Sequence, residues 1–239
     1  MTQPATSWSD VAQRLVAALK PVAPPLAISF HGAGPAAPPQ RPYPRANASG
    51  RTGAVPAGCV FWMLGAEQAL STRAADHGNC SVGSYTHGLI SAEVAAAKDD
   101  VGAILEAGWV DMGAFQALPT LGFKPDRIDY GPLAAATEVD VILLRIGALA
   151  LMTLKDAFDD LVIAGKPQCH IIPLVFNEQR PAASTGCALS RARTGMKAEE
   201  MTCALPAGAI DGLLVRLETT VSLNRAMARY AADDAKRWS

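Results

Sequence analysis

Three cysteines share a local setting that suits metal chemistry. Cys59 follows Gly58, Cys80 follows Asn79 and Cys187 follows Gly186, each in a run of small residues. Such backbone can curl around a metal centre and aim N–H groups at sulfur. Cys59 is placed to open a helix, and the positive end of a helix lowers a thiol's pKa and favours the ligating thiolate. Three thiolates suit an iron–sulfur cluster with one iron left for substrate or a fourth ligand, [4Fe–4S] before [2Fe–2S], with zinc as the alternative. The spacings, 21 and then 107 residues, match no compact ferredoxin or zinc-finger pattern. The competing reading is that each cysteine packs as a small hydrophobe.

Polar residues flank these positions. His77 and His87 stand three residues before and seven after Cys80, where imidazole can transfer protons or complete a mixed sulfur/nitrogen site. Arg191 lies four residues after Cys187. On a helix it shares that cysteine's face and can orient an anionic group, leaving Arg193 to solvent. Cys169 falls in an apolar run and reads as buried and inert, while Cys203 fits either role. His31 follows the first strand, where open α/β sheets place sites. His170 reads as structural, and Asp99 and Asp100 as a solvated face. Gly32-Ala33-Gly34 lacks the helix a dinucleotide fingerprint requires, and the chain has neither a Walker A sequence nor a Gly-x-Ser-x-Gly elbow.

The elements that must position these residues alternate at α/β spacing. Helices are expected over Thr2–Lys20, capped by Ser7 or Ser9, and over Val60–Arg73, Ala92–Ala107, Leu149–Ala164 and Ala207–Ala232. Strands are expected at Pro24–Phe30, Arg127–Tyr130, Asp140–Arg145 and Gln168–Phe176. Asp76–Leu89 and Ser184–Thr194 read as loops. Six prolines and three arginines within Gly32–Gly58 exclude a helix there and predict a loop or arm. The expectation is a single α/β domain over residues 1–239, a mixed sheet flanked by helices, with a proline-rich insertion at 32–58.

Composition narrows the partners. The 239 residues are 50% apolar and 18% charged, which excludes a disordered chain. Twenty-one basic against 22 acidic residues give a net charge of -1. With no basic excess, nucleic acid is not expected as a partner. The apolar stretch Val139–Met152 is interrupted by Asp140 and Arg145 and is too short to span a bilayer. The N-terminus lacks the apolar core of a signal peptide, so a cytoplasmic protein is expected, with thiols rather than disulfides.

The segments PPLAISF (Pro24–Phe30), HGNCSVGSYTHG (His77–Gly88), IDYGPL (Ile128–Leu133), VDVILLRI (Val139–Ile146), CHIIPLVF (Cys169–Phe176) and STGCALSRARTGMKAEEMTCALP (Ser184–Pro206), together with Cys59 at a helix start, resemble the domain-of-unknown-function family 169. The resemblance groups these residues and implies no particular reaction. The expected function is that of a metalloprotein acting on or sensing a small molecule in redox or sulfur-related metabolism. The alternatives are a zinc or thiol enzyme, and a non-catalytic accessory subunit. Through the 32–58 arm such a subunit would dock on a redox complex or a second copy.

Overall fold

The computed structural model describes residues 6–32, 58–77 and 80–238. Apart from Gly32 and Gly58, the expected proline-rich arm lies outside the described residues, as do Gly78 and Asn79.

Seven strands form one mixed sheet: β1 (Leu26–His31), β2 (Leu70–Thr72), β3 (Arg127–Pro132), β4 (Val141–Ile146), β5 (Val162–Ala164), β6 (Ala182–Ser184) and β7 (Met201–Pro206). Their order is β2-β3-β1-β4-β7-β6-β5. Neighbours run antiparallel, except that β5 and β6 are parallel. The helices are α1 (Trp8–Leu19), α2 (Gly58–Glu67), α3 (Ser81–Thr86), α4 (Ala92–Ala96), α5 (Asp99–Glu106), α6 (Met112–Gln116), α7 (Ala148–Ala157), α8 (Ile171–Glu178), α9 (Ala188–Thr194) and α10 (Ile210–Ala235). No helix among the described residues is long and apolar enough to cross a membrane.

The β1 run LAISFH is buried nearly throughout because both sheet faces are covered. Side chains alternate between those faces. Ala27, Ile142, Leu144, Cys203 and Leu205 join the core with α1, α7 and α10, whereas Ile28, Phe30, Tyr130, Leu143 and Ala204 join the core with α2 and α8. Each buried Leu, Ile or Phe contributes about 1.5–3 kcal/mol to such cores. Helix α2 lies close to the sheet because Gly65 has no Cβ. One built there would stand 2.7 Å from Tyr130 Cβ and 2.8 Å from Leu26 Cδ1. A third, small cluster of Val82, Ala95, Val101, Ile104 and Phe115 binds α3 to α6 into a lobe.

Several local expectations are corrected. Gln168–Phe176 is not a strand: Gln168–His170 forms a 3-10 turn that runs into α8. Pro173 is tolerated there as the third residue of α8, where no intrahelical N–H is required. Asp76–Leu89 and Ser184–Thr194 contain α3 and α9 rather than loops only. The helix expected over Ala92–Ala107 breaks at the extended Lys98, with Asp99 and Asp100 opening α5. The helices expected through Arg73 and Ala164 stop earlier and are followed by β2 and β5, and Met201–Pro206 is the interior strand β7. Ser7 does cap α1, its hydroxyl accepting from the Asp10 N–H at 3.2 Å.

Candidate functional site

Cys59, Cys80 and Cys187 line one cavity between the sheet-backed helices and the small lobe, and so does Cys169. Each reaches it from the start of a helical element. Cys59 is the second residue of α2, while Cys80 and Cys187 are the N-caps of α3 and α9. Cys169 sits in the turn that leads into α8. The expectation that Cys169 lies in a strand is therefore corrected. Its turn turns the side chain toward the other three. Cys203 stands apart, fully buried on the opposite face of the sheet.

His87, Asp100, Gln168, Ser190 and Arg193 line the same cavity, with Trp109, Ile104, Val82 and Leu189 as apolar wall. Asp100 is not a solvated carboxylate, because its Oδ2 accepts the Ser81 N–H at 2.9 Å and ties α5 to the first turn of α3. The two arginines differ from expectation. Arg191 donates to the carbonyls of Thr185 (3.1 Å), Glu200 (2.6 Å) and Lys197, which pins the loops on either side of α9. Its guanidinium also lies over Gly186, whose φ of +112° and tight contact exclude a side chain. Arg193 is the cation that faces Cys80 and Cys59. The cavity-facing stripe of α9 is Leu189, Ser190 and Arg193, at i, i+1 and i+4.

Burial dominates the electrostatics. It pushes the Cys59 thiol up to about 11, against a lowering hydrogen bond from Ser190. The depressed thiol expected from the helix start is thus overturned, because desolvation outweighs the helix end. Burial also raises Cys80, partly offset by the Gly83 N–H and Arg193, and raises Cys169 well above its ordinary value. Without a positive centre among them these thiols stay protonated at neutral pH.

The two histidines are buried, their rings 6.0 Å apart. His87 Nδ1 lies 2.9 Å from the Gly83 carbonyl, which can only accept, so Nδ1 carries the proton and Nε2 is a lone pair with no partner among the described residues. His77 Nε2 lies 2.9 Å from Thr72 Oγ1, which itself donates to the Ile128 carbonyl, so Nε2 donates and Nδ1 is left bare. Only His87 lines the cavity. His77 stands behind Gly58, with Nδ1 3.5 Å from the point a Cβ would occupy there. Burial lowers His77 to about 3 and His87 to about 4. A depressed histidine takes up its proton in the unfolded chain first. Stability therefore falls as pH drops from about 6.5 toward 4, by about 3 kcal/mol per pH unit where both unfolded imidazoles are charged. Urea titrations at pH 7, 6 and 5 should show this steepening, and a flat profile would mean that the folded protein protonates them.

His31 belongs elsewhere. Its Nε2 lies 3.0 Å from Asp129 Oδ2, in a separate cavity on the other face of β1 and β3. His170 is buried at the start of α8, as its structural reading requires. Among the described residues, no three His, Cys, Asp or Glu side chains are close enough to hold a single metal ion.

Residues 14–215 match the domain-of-unknown-function family 169, described as uncharacterised ArCR. No curated protein and no solved structure matches the chain. The match spans most of the sequence and all four cavity cysteines, so the chain belongs to that family.

Proposed function

We propose that this member of domain family 169 is a metalloprotein that holds an iron–sulfur cluster through Cys59, Cys80 and Cys187 and acts on or senses a small molecule in redox or sulfur-related metabolism. The observation that carries the reading is the meeting of three Gly- or Asn-flanked cysteines, far apart in sequence, at one cavity. Three thiols are the donor set that suits an iron–sulfur cluster, with mononuclear zinc as the alternative. The buried lone pair of His87 and the all-thiol donor set fit a soft, electron-poor centre better than a polar organic ligand. Raised thiol pKa values argue against a free-thiolate nucleophile, since Cys59 at about 11 is protonated at neutral pH.

When bound, a cluster would supply one-electron chemistry. Arg193 offsets part of the thiolate charge at Cys80 and Cys59. Ser190 donates toward Cys59 and the Gly83 N–H toward Cys80. Trp109, Ile104 and Leu189 exclude water from the cavity. His87 Nε2 presents a neutral lone pair to the cavity, because burial lowers this imidazole to about 4.

The test is anaerobic purification and reconstitution, followed by iron, sulfide and zinc analysis and a visible spectrum. Equal iron and sulfide with a charge-transfer band is the expected result, lost in Cys59→Ser, Cys80→Ser and Cys187→Ser but kept in Cys203→Ser. Stoichiometric zinc, or a colourless protein that takes up no iron, would overturn the reading.

A further inference from the structure

We infer that Cys169 is a fourth thiol ligand of the centre and that the Thr86 hydroxyl donates to its sulfur, which closes the centre with protein ligands and leaves no coordination position for a substrate. The inference rests on the iron–sulfur reading of the same cavity. Cys169 lines that cavity together with Cys59, Cys80 and Cys187, and its strongest interaction with another thiol is with Cys80. Four cysteines are the full ligand complement of either common cluster type.

The hydrogen-bond accounting around Thr86 supports the assignment. Thr86 is fully buried, and its Oγ1 lies 3.5 Å from Cys169 Sγ, 3.1 Å from the Gly83 carbonyl and 3.2 Å from His87 Nδ1. The Gly83 carbonyl already accepts from His87 Nδ1–H at 2.9 Å. A carbonyl oxygen has two lone pairs, so Gly83 also accepts from Thr86, whose single hydroxyl hydrogen is shared between that carbonyl at 3.1 Å and the Cys169 sulfur at 3.5 Å. A neutral thiol is a weak acceptor and a thiolate a strong one, so this donor gains most when Cys169 is ionised on a metal. Ionisation on a metal would draw the shared hydrogen from the Gly83 carbonyl toward the Cys169 sulfur.

Hydrogen bonds to ligating sulfur stabilise the more negative, reduced state and raise the potential. Thr86 is thus a positioning residue whose effect is read in the potential and not in the iron content. His87 Nε2, buried and without a partner among the described residues, is the competing fourth ligand.

The experiment uses the reconstituted full chain as wild type, Cys169→Ala, His87→Ala and Thr86→Val, with iron counts and EPR before and after mild ferricyanide oxidation. The wild type should keep its four irons. Cys169→Ala should shed one and show a three-iron EPR signal, and His87→Ala should behave as wild type. Thr86→Val should keep four irons while its potential falls, with about a tenfold change in the oxidised-to-reduced ratio at fixed potential, or 59 mV for a one-electron couple. If Cys169→Ala does not fold, the wild-type oxidation and the Thr86→Val potential still decide. Loss of one iron from the wild type, no loss from Cys169→Ala, loss from His87→Ala alone, or an unchanged Thr86→Val potential each overturns the inference while the iron–sulfur reading stands. A wild type that takes up no iron overturns both.

Discussion

Arg145→Leu should lower unfolding free energy by about 3–5 kcal/mol, because it strands a buried carboxylate. Glu200 is 2% exposed, and its Oε2 accepts from Arg145 Nε at 3.0 Å and Nη2 at 2.5 Å. Arg145 sits on β4, opposite Thr202 of β7, so the pair fastens the chain entering β7 to the centre of the sheet. The cost belongs to the unpaired charge more than to the lost bonds. Arg145→Leu/Glu200→Leu should accordingly regain most of the loss in urea melts. A single variant as stable as the double one would show that Glu200 finds water or another partner.

Exchanging the arginines of α9 should give two different failures. Arg191→Leu removes three hydrogen bonds from a cation to backbone carbonyls, and should cost about 2 kcal/mol or more. It also frees the segment that carries Cys187 and Ser190. Arg193→Leu should leave the urea midpoint within error and cut bound iron several-fold, because the cation facing Cys80 and Cys59 is gone. Both changes delete one positive charge, so net charge cannot account for a difference. The opposite pattern, a stable Arg191→Leu chain without iron, would return Arg191 to the site.

Much of this arrangement is legible in the sequence. The apolar runs at Leu26–His31 and Val141–Ile146 are strands because both faces of the sheet are covered, and the small residues before Cys59 mark a tight entry to a helix. Cys169 is not legible. CHIIPLVF is a short apolar run, and periodicity alone cannot separate a buried strand from a buried helix. Pro173 is the overlooked signal, since an interior strand would lose a ladder bond there whereas the first turn of a helix loses nothing. The exchange of Arg191 and Arg193 is likewise hidden, because it depends on where the carbonyls of Lys197 and Glu200 return in space. The histidine tautomers follow from a carbonyl and a hydroxyl that only the fold brings near.

The lobe of α3 to α6 has a kinetic consequence. Its own apolar cluster is small beside the two cores that clasp the sheet. Local opening free energy follows the apolar surface an element shares with its surroundings, so this lobe gives way before the sheet does. Its inner wall carries Val82, Asp100 and Ile104 of the cavity, and Cys80 caps its first helix. Opening therefore uncovers the four thiols while β1, β4 and β7 stay paired. Under the proposed iron–sulfur reading, a bulky metal carrier would reach the thiols through that opening, and a filled centre, by tying Cys80 to the sheet side, would latch the lobe behind it.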